Sequence, residues 1–303
     1  MSEVVALLDL GSNAARFLLA RLDPDPGFRI LEHERIPTRL AGPGGLLCEV
    51  AVQATARAAE QFLRRVRKRQ PRVLAVATAA VRDAPNRECL ITMLRQRGGV
   101  ELCILSGREE ARLGAEAALR ELPLWDGCVV DLGGGSLQLT PVRAGRLGAG
   151  TSVPLGAARM TRQYLEHDPA RTRELLALRV AAAEVIASEL PGGSGHGRML
   201  ALGGTARALA RRRLRIGDDR PKKHRAATLR LSELKRMRAR FERLTTEQRT
   251  QLRGMKPERA DIVVAGAIVL EELMQHAGYA AFTVCSASVR EGVLWREARR
   301  LSR

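Results

Sequence analysis

The chain has 303 residues, of which 45% are hydrophobic and 3% aromatic. This length and apolar content allow a buried core, argue against disorder and suit two domains of ordinary size. Lys and Arg number 51 against 33 Asp and Glu, which gives a formal charge of +18. A positive field attracts polyanions, nucleotides or an anionic membrane, although an arginine-rich composition explains the surplus equally well. The scarcity of rings argues against a surface that stacks bases.

The five cysteines are odd in number and form no CxxC pair. This pattern favours buried free thiols in a reducing compartment. The five histidines lack the spacing of metal ligands. No signal peptide precedes Val4, and no apolar run reaches the ~18 residues of a membrane span. We therefore expect a soluble cytoplasmic protein.

Predicted strands and helices alternate along the first part of the chain, which is typical of an α/β domain. We predict strands at residues 3–9, 15–21, 72–78 and 100–105, and helices at 50–69, 84–99 and 106–122.

A repeat begins at residue 129, where "VVDLGGGSLQLTPVR" follows the pattern of the opening "LLDLGSNAARFLLAR". Each stretch has an apolar strand, Asp-Leu-Gly, small residues and a second strand that ends in arginine. A repeat at this distance predicts two domains of similar design, and we place them at residues 1–125 and 126–303.

The second half continues the alternation of strands and helices. We predict helices at residues 157–166, 170–190, 231–241 and 246–251, and another beginning about Arg259. A strand, a glycine turn and a helix occupy residues 198–213, an exposed loop 216–228, and a strand, a turn and a helix 282–301.

Both Asp-Leu-Gly turns place a carboxylate and free backbone N–H groups at the end of a strand. Glycines let the backbone approach an anion, and successive N–H groups form a nest for phosphate oxygens. A carboxylate repels phosphate unless a divalent cation lies between them, and Mg²⁺ bridges carboxylates and phosphates in this way. A glycine-rich hairpin explains one copy, but two matched copies favour a phosphate clamp.

Three further stretches leave two interpretations open. The turn in "ALGGTARALA", residues 201–210, could admit a ribose or phosphate, although a tight connection explains it alone. In "SGREEAR", Ser106 and Glu109 form a capping box, and Glu110 is either a solvated carboxylate or a proton acceptor facing a cleft. Residues 209–225 hold eight Lys or Arg against two Asp and form a solvated basic loop or a path for a polyanion.

These motifs together resemble the exopolyphosphatase and guanosine pentaphosphate phosphatase (Ppx/GppA) family, in its short two-domain form. The resemblance is carried, in order, by "DLGSNAAR", "VATAAVRDAPN", "SGREEAR", "DLGGGS", "PLGAARMTRQYL", "LGGTARALA", "PERADIVVAGAIVLEEL" and "VREGVL". It implies an α/β fold of two ribonuclease-H-like domains facing across a cleft, as in the superfamily of actin, sugar kinases and Hsp70.

The resemblance also implies a site. Glu110 matches the catalytic base, and Asp9 and Asp131 would hold Mg²⁺ or another divalent cation. The phosphate-binding positions implied are Gly11, Ser12, Asn13, Arg16, Arg82, Gly133, Gly134, Gly135, Ser136, Gly203, Gly204 and Thr205.

The implied activity is release of terminal phosphate from inorganic polyphosphate or guanosine pentaphosphate, with no specific nucleic acid or membrane partner, by a protein that forms a homodimer. Two positions depart from the family pattern, because Gln138 replaces a glutamate and Ser288 a glycine. An amide cannot accept a proton and is a poorer ligand for Mg²⁺. Gln138 therefore leaves open a non-catalytic sensor that binds polyphosphate or a guanosine nucleotide.

Overall fold

The computed structural model describes residues 2–23, 27–190, 192, 195–215 and 226–302. The chain divides into two compact units, one formed by Met1–Leu113 with Val289–Arg303 and the other by Gly114–Ser288. The division between Leu113 and Gly114 precedes the expected boundary at residue 125, and the closing helix belongs to the first unit because it packs on strands of that unit.

The first unit contains a mixed sheet, with helices on both faces. Its strands are β1 (Glu3–Leu10), β2 (Ala15–Asp23), β3 (Gly27–Ile36), β4 (Arg72–Ala77) and β5 (Leu102–Ile104). Its helices are α1 (Glu49–Val66), α2 (Ala79–Arg82), α3 (Glu88–Gly98), the first half of α4 (Gly107–Glu121), and the closing helix α12 (Val289–Leu301).

The second unit holds a larger mixed sheet. Its strands are β6 (Gly127–Leu132), β7 (Leu137–Arg143), β8 (Arg146–Leu147), β9 (Thr151–Val153), β10 (Arg198–Leu202), β11 (Thr228–Arg230) and β12 (Ala281–Val284). The helices are α5 (Ala157–Tyr164), α6 (Thr172–Glu189), α7 (Gly203–Arg213), α8 (Leu231–Glu242), α9 (Thr246–Thr250), α10 (Pro257–Ala260) and α11 (Val263–His276).

The two sheets share one topology, as the sequence repeat predicts. In the described residues the strand order is β3-β2-β1-β4-β5 in the first sheet and β8-β7-β6-β10-β12-β11 in the second. In each, an antiparallel hairpin (β1–β2 or β6–β7) is extended by two parallel strands.

The continuous apolar run of β1 is explained by burial on both faces of the sheet. Ala6 and Leu8 belong to the core beneath α1, whereas Val5 and Leu7 belong to the core beneath α12. Successive side chains of a strand point to opposite faces, so a strand covered on both sides needs apolar residues throughout.

Several predicted bounds change in the structure. The polar edge strand β3 is not among the predicted strands, because its solvated pattern carries little apolar signal. The helix predicted at 84–99 begins at Glu88 instead, because Pro85 disfavours helical geometry at Ala84 and residues 85–87 form a turn. The helix expected from about Arg259 is two helices, α10 and α11.

One predicted loop lies mostly outside the described residues, and the expectation about the cysteines differs from what the structure shows. Most of the predicted loop at 216–228 lies outside them, and Thr228 begins β11. All five cysteines are free, but Cys48, Cys89 and Cys103 are exposed, so the expectation of buried thiols holds only for Cys128 and Cys285. Among the described helices, none has the length and apolarity needed to cross a membrane.

Candidate active site

The predicted residues of the first unit lie at one edge of its sheet. The strands β1, β4 and β5 are parallel neighbours, so their carboxyl ends meet at the same edge. The turn at residues 11–13 follows β1, Arg82 follows β4 in α2, and Glu110 follows β5 in the first turn of α4. Open α/β sheets bind ligands at this edge.

Asp9 lies between two arginines at this edge. It is the cross-strand partner of Arg16, and its Oδ2 lies 3.6 Å from Nη1 of Arg16 and 3.6 Å from Nε of Arg290. Asp9 is 7% exposed, and burial raises the pKa of its carboxyl, an effect that Arg16 and Arg290 partly offset. The two arginines therefore compensate a buried carboxylate, and Arg290 also lies 3.9 Å from Glu291.

The turn after β1 leaves backbone donors available. Ser12 and Asn13 are buried, and the carbonyl of Asn13 accepts a hydrogen bond from the backbone N–H of Arg39. Within the described residues, the N–H groups of Gly11 and Ser12 donate to no acceptor. Such adjacent donors are suited to anionic oxygens.

Glu110 is 7% exposed and is held by an arginine. Arg82 donates through Nη1 to Oε2 of Glu110 at 2.9 Å and to the carbonyl of Leu105 at 3.0 Å. The hydrogen bond to the Leu105 carbonyl fixes the guanidinium of Arg82, and its hydrogen bond to Oε2 orients the carboxylate of Glu110. An oriented, nearly buried carboxylate at a sheet edge has the placement that a proton acceptor needs.

The neighbouring Glu109 has a structural role, as its spacing predicts. Its Oε2 accepts hydrogen bonds from the backbone N–H and the hydroxyl of Ser106, at 2.9 and 2.8 Å. The N–H of Glu109 donates to the Ser106 hydroxyl at 3.2 Å and closes the capping box of α4. Adjacent glutamates thus differ, because one caps the helix and the other contacts Arg82.

In the second unit, the loop at residues 133–136 follows β6 and rests on α5. The first turn of α5 donates from the N–H of Ala157 to the carbonyl of Gly133 and from the N–H of Arg159 to that of Gly134, at 3.0 and 2.9 Å. The Arg159 side chain donates to the carbonyl of Gly135 at 2.9 Å. In the described residues, the N–H groups of Gly134 and Gly135 have no acceptor, so the loop offers donors to an anion.

This contact between loop and helix requires glycine at position 156. A Cβ there would lie 2.3 Å from the carbonyl carbon of Gly135 and 2.3 Å from the backbone nitrogen of Ser136. Any side chain at residue 156 would therefore displace the loop.

Asp131 and Gln138 are cross-strand partners, just as Asp9 and Arg16 are in the first unit. Gln138 is 2% exposed and donates through Nε2 to the hydroxyls of Ser136 and Ser152, at 2.6 and 3.0 Å. The amide therefore anchors the end of the loop, and the position opposite Asp131 carries no charge.

The third glycine turn follows β10 at the same edge as β6. Gly203 has φ of +92°, and a Cβ there would lie 2.2 Å from the carbonyl oxygen of Leu132. This close approach supports the interpretation as a tight connection. Gly204 lies under the Arg259 guanidinium, where a Cβ would approach to 2.2 Å, whereas Thr205 is 1% exposed and packs on Gly266 of α11.

The predicted metal ligands offer donors of the right type. Carboxylate oxygens suit Mg²⁺, which takes one or two of them and completes its shell with water and phosphate. The bare backbone of Gly203 leaves room beside Asp131, since a Cβ would lie 3.0 Å from its Oδ1. Asp131 therefore has space for a divalent cation beside its Oδ1, whereas Oδ2 of Asp9 faces two guanidinium groups.

Among the described residues, the one group of three potential ligand side chains close enough to share a metal is Glu166, His167 and Glu174. Glu174 instead closes a capping box at the start of α6, where it accepts from the N–H of Arg171 at 3.1 Å. The group therefore has a structural explanation and includes neither predicted metal ligand.

The sequence analysis assigns no role to two arginines that lie at these sheet edges. Arg290 contacts Asp9, and Arg259 covers Gly204. Both lie within stretches that carry the resemblance, "VREGVL" and "PERADIVVAGAIVLEEL". Their spacing along the chain gives no sign that they reach strand ends far away in sequence.

Known proteins are similar to this chain in both sequence and fold. Exopolyphosphatase 1 of Mycobacterium tuberculosis is 34% identical over 234 residues, which cover 74% of this chain and 67% of that protein. Exopolyphosphatase 2 of the same organism is 29% identical over 329 residues, which cover 95% and 97%. The crystal structure of the Ppx/GppA family member from Aquifex aeolicus superposes with a TM-score of 0.83 at 23% identity and covers both chains fully.

The structural likeness confirms the expected α/β fold of the actin-like type, with two mixed sheets. The Ppx/GppA phosphatase family model matches residues 28–301, a span that includes Arg82, Glu110, the loop at 133–136 and Arg290. The chain therefore belongs to the Ppx/GppA phosphatase family.

Proposed function

We propose that the protein is an exopolyphosphatase, which hydrolyses the terminal phosphoanhydride bond of inorganic polyphosphate. The observation that carries the proposal is the buried Glu110 carboxylate, oriented by Arg82 at the sheet edge that also holds Asp9 and its arginines. Family membership and the names of the two mycobacterial relatives support polyphosphate as the substrate.

In the proposed mechanism, a water oxygen forms a bond to the terminal phosphorus while the bond to the bridging oxygen breaks. Glu110 accepts the proton of that water, and the products are inorganic phosphate and a chain shorter by one phosphate. We assign Arg82 and Arg16 to stabilise the negative charge on the phosphate oxygens, as pre-oriented cations do in phosphoryl transfer.

The glycine turn of each unit is assigned to phosphate oxygens through backbone N–H groups. Gly11 and Ser12 supply these donors in the first unit, and Gly134 and Gly135 supply them in the second. A divalent cation at Asp131, or at Asp9, would neutralise phosphate charge when bound.

A second candidate function, a non-catalytic sensor of polyphosphate or a guanosine nucleotide, is favoured by Gln138. Its amide is committed to Ser136 and Ser152 and gives the position opposite Asp131 no charge. This arrangement preserves the loop that would bind phosphate while it removes a ligand that would help hold a metal.

Phosphate release distinguishes the candidates. The purified protein with Mg²⁺ is given long polyphosphate and guanosine pentaphosphate in parallel, and inorganic phosphate is measured. We expect release from polyphosphate with the higher kcat/KM. Preferential release from guanosine pentaphosphate would reassign the substrate, and binding of both without release would replace the enzyme with the sensor.

A further inference from the structure

A cavity in the first unit lies away from the sheet edge that holds the candidate active site. It has a volume of about 370 Å³ and opens to solvent. Its walls come from the last two turns of α1, the start of β4 and the end of α3. The candidate site lies at the carboxyl end of β4, where α2 carries Arg82, so the two are at opposite ends of this strand. We refer to the cavity as the α1–β4 pocket.

One face of α1 supplies several groups of the pocket. Glu60, Leu63, Arg64 and Arg67 are spaced three or four residues apart, an interval that places side chains on the same face of a helix. The helix ends at Val66, and positive side chains are favourable there because the last carbonyl groups carry partial negative charge. The end of the helix therefore accounts for the positions of these arginines, but not for the apolar cavity beside them.

The surface between the helices and the strand is apolar. Val73 is 40% exposed, although it lies on the same face of β4 as Ala75 and Ala77, which belong to the core beneath α1. Leu63 packs against the same core and is only partly buried. The pocket thus leaves apolar surface in contact with water where the rest of the strand is covered. A ligand that buries this surface gains about 25 cal/mol for each Å².

The charged groups of the pocket leave positive charge in excess. Three arginines, Arg64, Arg67 and Arg97, line it together with one carboxylate, that of Glu60. Glu60 accepts from Arg64 through Oε1 at 2.6 Å and from Arg97 through Oε2 at 3.4 Å. Within the residues that the structure describes, the side chain of Arg67 makes no hydrogen bond or ion pair. Arg67 therefore offers a guanidinium group to an anion at the edge of an apolar cavity.

We propose that the α1–β4 pocket binds a small amphipathic anion, a molecule with one apolar body and one acidic group. The apolar body covers Val73 and Leu63, and a carboxylate, sulfonate or phosphate group contacts Arg67. Ligand pockets in proteins commonly have this volume and combine an apolar lining with a few polar groups that fix orientation. An inorganic polyanion has no apolar surface to cover Val73. The proposal goes beyond the proposed function and does not depend on phosphate release.

The test compares two dyes that share an aromatic body, anilinonaphthalene sulfonate and the uncharged phenylnaphthylamine. Fluorescence titration of the purified protein gives a Kd for each dye. We expect wild type to bind the sulfonate at one site and more tightly than the uncharged dye. Arg67→Gln should raise the Kd of the sulfonate roughly 2- to 5-fold, as for the loss of one exposed ionic contact, and leave that of the uncharged dye unchanged. The matched control is Arg69→Gln, which removes an exposed arginine of the same segment that does not line the pocket.

A second variant fills the cavity. Val73→Trp places an indole ring in its apolar part, so binding of both dyes should be lost. Val50→Trp makes the same change at an exposed valine of α1 outside the pocket and should leave both affinities unchanged. Thermal unfolding shows whether each variant is folded, and Arg67→Gln tests the proposal by itself if Val73→Trp does not fold.

Four results would overturn the proposal. In the first, wild type shows no saturable binding of the sulfonate. In the second, folded Val73→Trp binds the sulfonate as wild type does, and the dye lies elsewhere. In the third, both dyes bind wild type equally and Arg67→Gln changes neither affinity, so the pocket takes a neutral molecule. In the fourth, Arg69→Gln weakens sulfonate binding as much as Arg67→Gln does, and the effect is one of net charge.

Discussion

At the scale of single residues, adjacent or equivalent positions have different environments. Glu109 and Glu110 follow each other, yet one caps α4 and the other contacts Arg82. Arg16 and Gln138 occupy equivalent hairpin positions opposite Asp9 and Asp131, so the two repeats differ in charge. The charge opposite each strand-end aspartate therefore depends on a single side chain, Arg16 or Gln138.

Substitution of Gln138 by Glu tests the effect of that charge. A carboxylate opposite Asp131 adds like-charge repulsion, is buried and loses the amide's donations to Ser136 and Ser152, so we expect a loss of about 1–3 kcal/mol in unfolding free energy without metal. Mg²⁺ should reverse the loss, because it bridges two carboxylates. Thermal unfolding with and without Mg²⁺ measures both effects, and Gln138→Asn is the neutral control. A Tm of the Gln138→Glu variant that does not change with Mg²⁺ would contradict a metal site at Asp131.

The Ser106–Glu109 capping box predicts a pH dependence. Hydrogen bonds from the Ser106 N–H and hydroxyl lower the pKa of Glu109. The carboxylate therefore stabilises the fold above its unfolded pKa of about 4.3, and this contribution is lost as pH falls through the lower folded pKa. Glu109 is exposed, so the contribution is about 1 kcal/mol or less. The Tm difference between wild type and Glu109→Ala should shrink from pH 7 to pH 3; a constant difference would contradict the assignment.

At the scale of elements, the contact between α5 and the loop at 133–136 leaves no space for a side chain. We expect Gly156→Ala to displace the loop, to cost about 1–3 kcal/mol of stability and to raise KM, because the Cβ meets backbone atoms. Gly98→Ala is the control, since its Cβ would meet only side chains, at 3.3 and 3.5 Å. Chemical denaturation and steady-state kinetics measure the effects. An unchanged KM in the Gly156 variant would argue against phosphate binding by the loop.

At the scale of the whole molecule, the first unit is discontinuous in sequence. Leu294 of α12 is fully buried in the core that contains Val5 and Leu7. We expect Leu294→Ala to lower the unfolding free energy by about 2–5 kcal/mol, as for other large core truncations. Hydrogen exchange should detect the loss of protection in β1. Loss of protection confined to the second unit would contradict this placement of α12.

Much of the fold can be predicted from the sequence, because strand-end aspartates, glycine turns and apolar periodicity are local signals. The repeat around Asp9 and Asp131 thus predicts two sheets of one topology. Long-range contacts leave no such signal. The contact of Arg290 with Asp9 depends on α12 returning to the first unit, and Arg259 reaches Gly204 only through the packing of α10 against α7. The domain assignment of the last helix depends on the same tertiary contacts.

Glu110 is proposed to accept the proton of the attacking water, and two variants at adjacent residues distinguish this role from a structural one. The measurement is kcat for phosphate release from long polyphosphate by Glu110→Gln and by Glu109→Gln. Glutamine at residue 109 preserves the capping box, so that variant controls for the stability of α4. We predict that Glu110→Gln lowers kcat roughly 10²- to 10⁴-fold while Glu109→Gln stays near wild type. Full activity of the Glu110 variant would show that this carboxylate is not the proton acceptor.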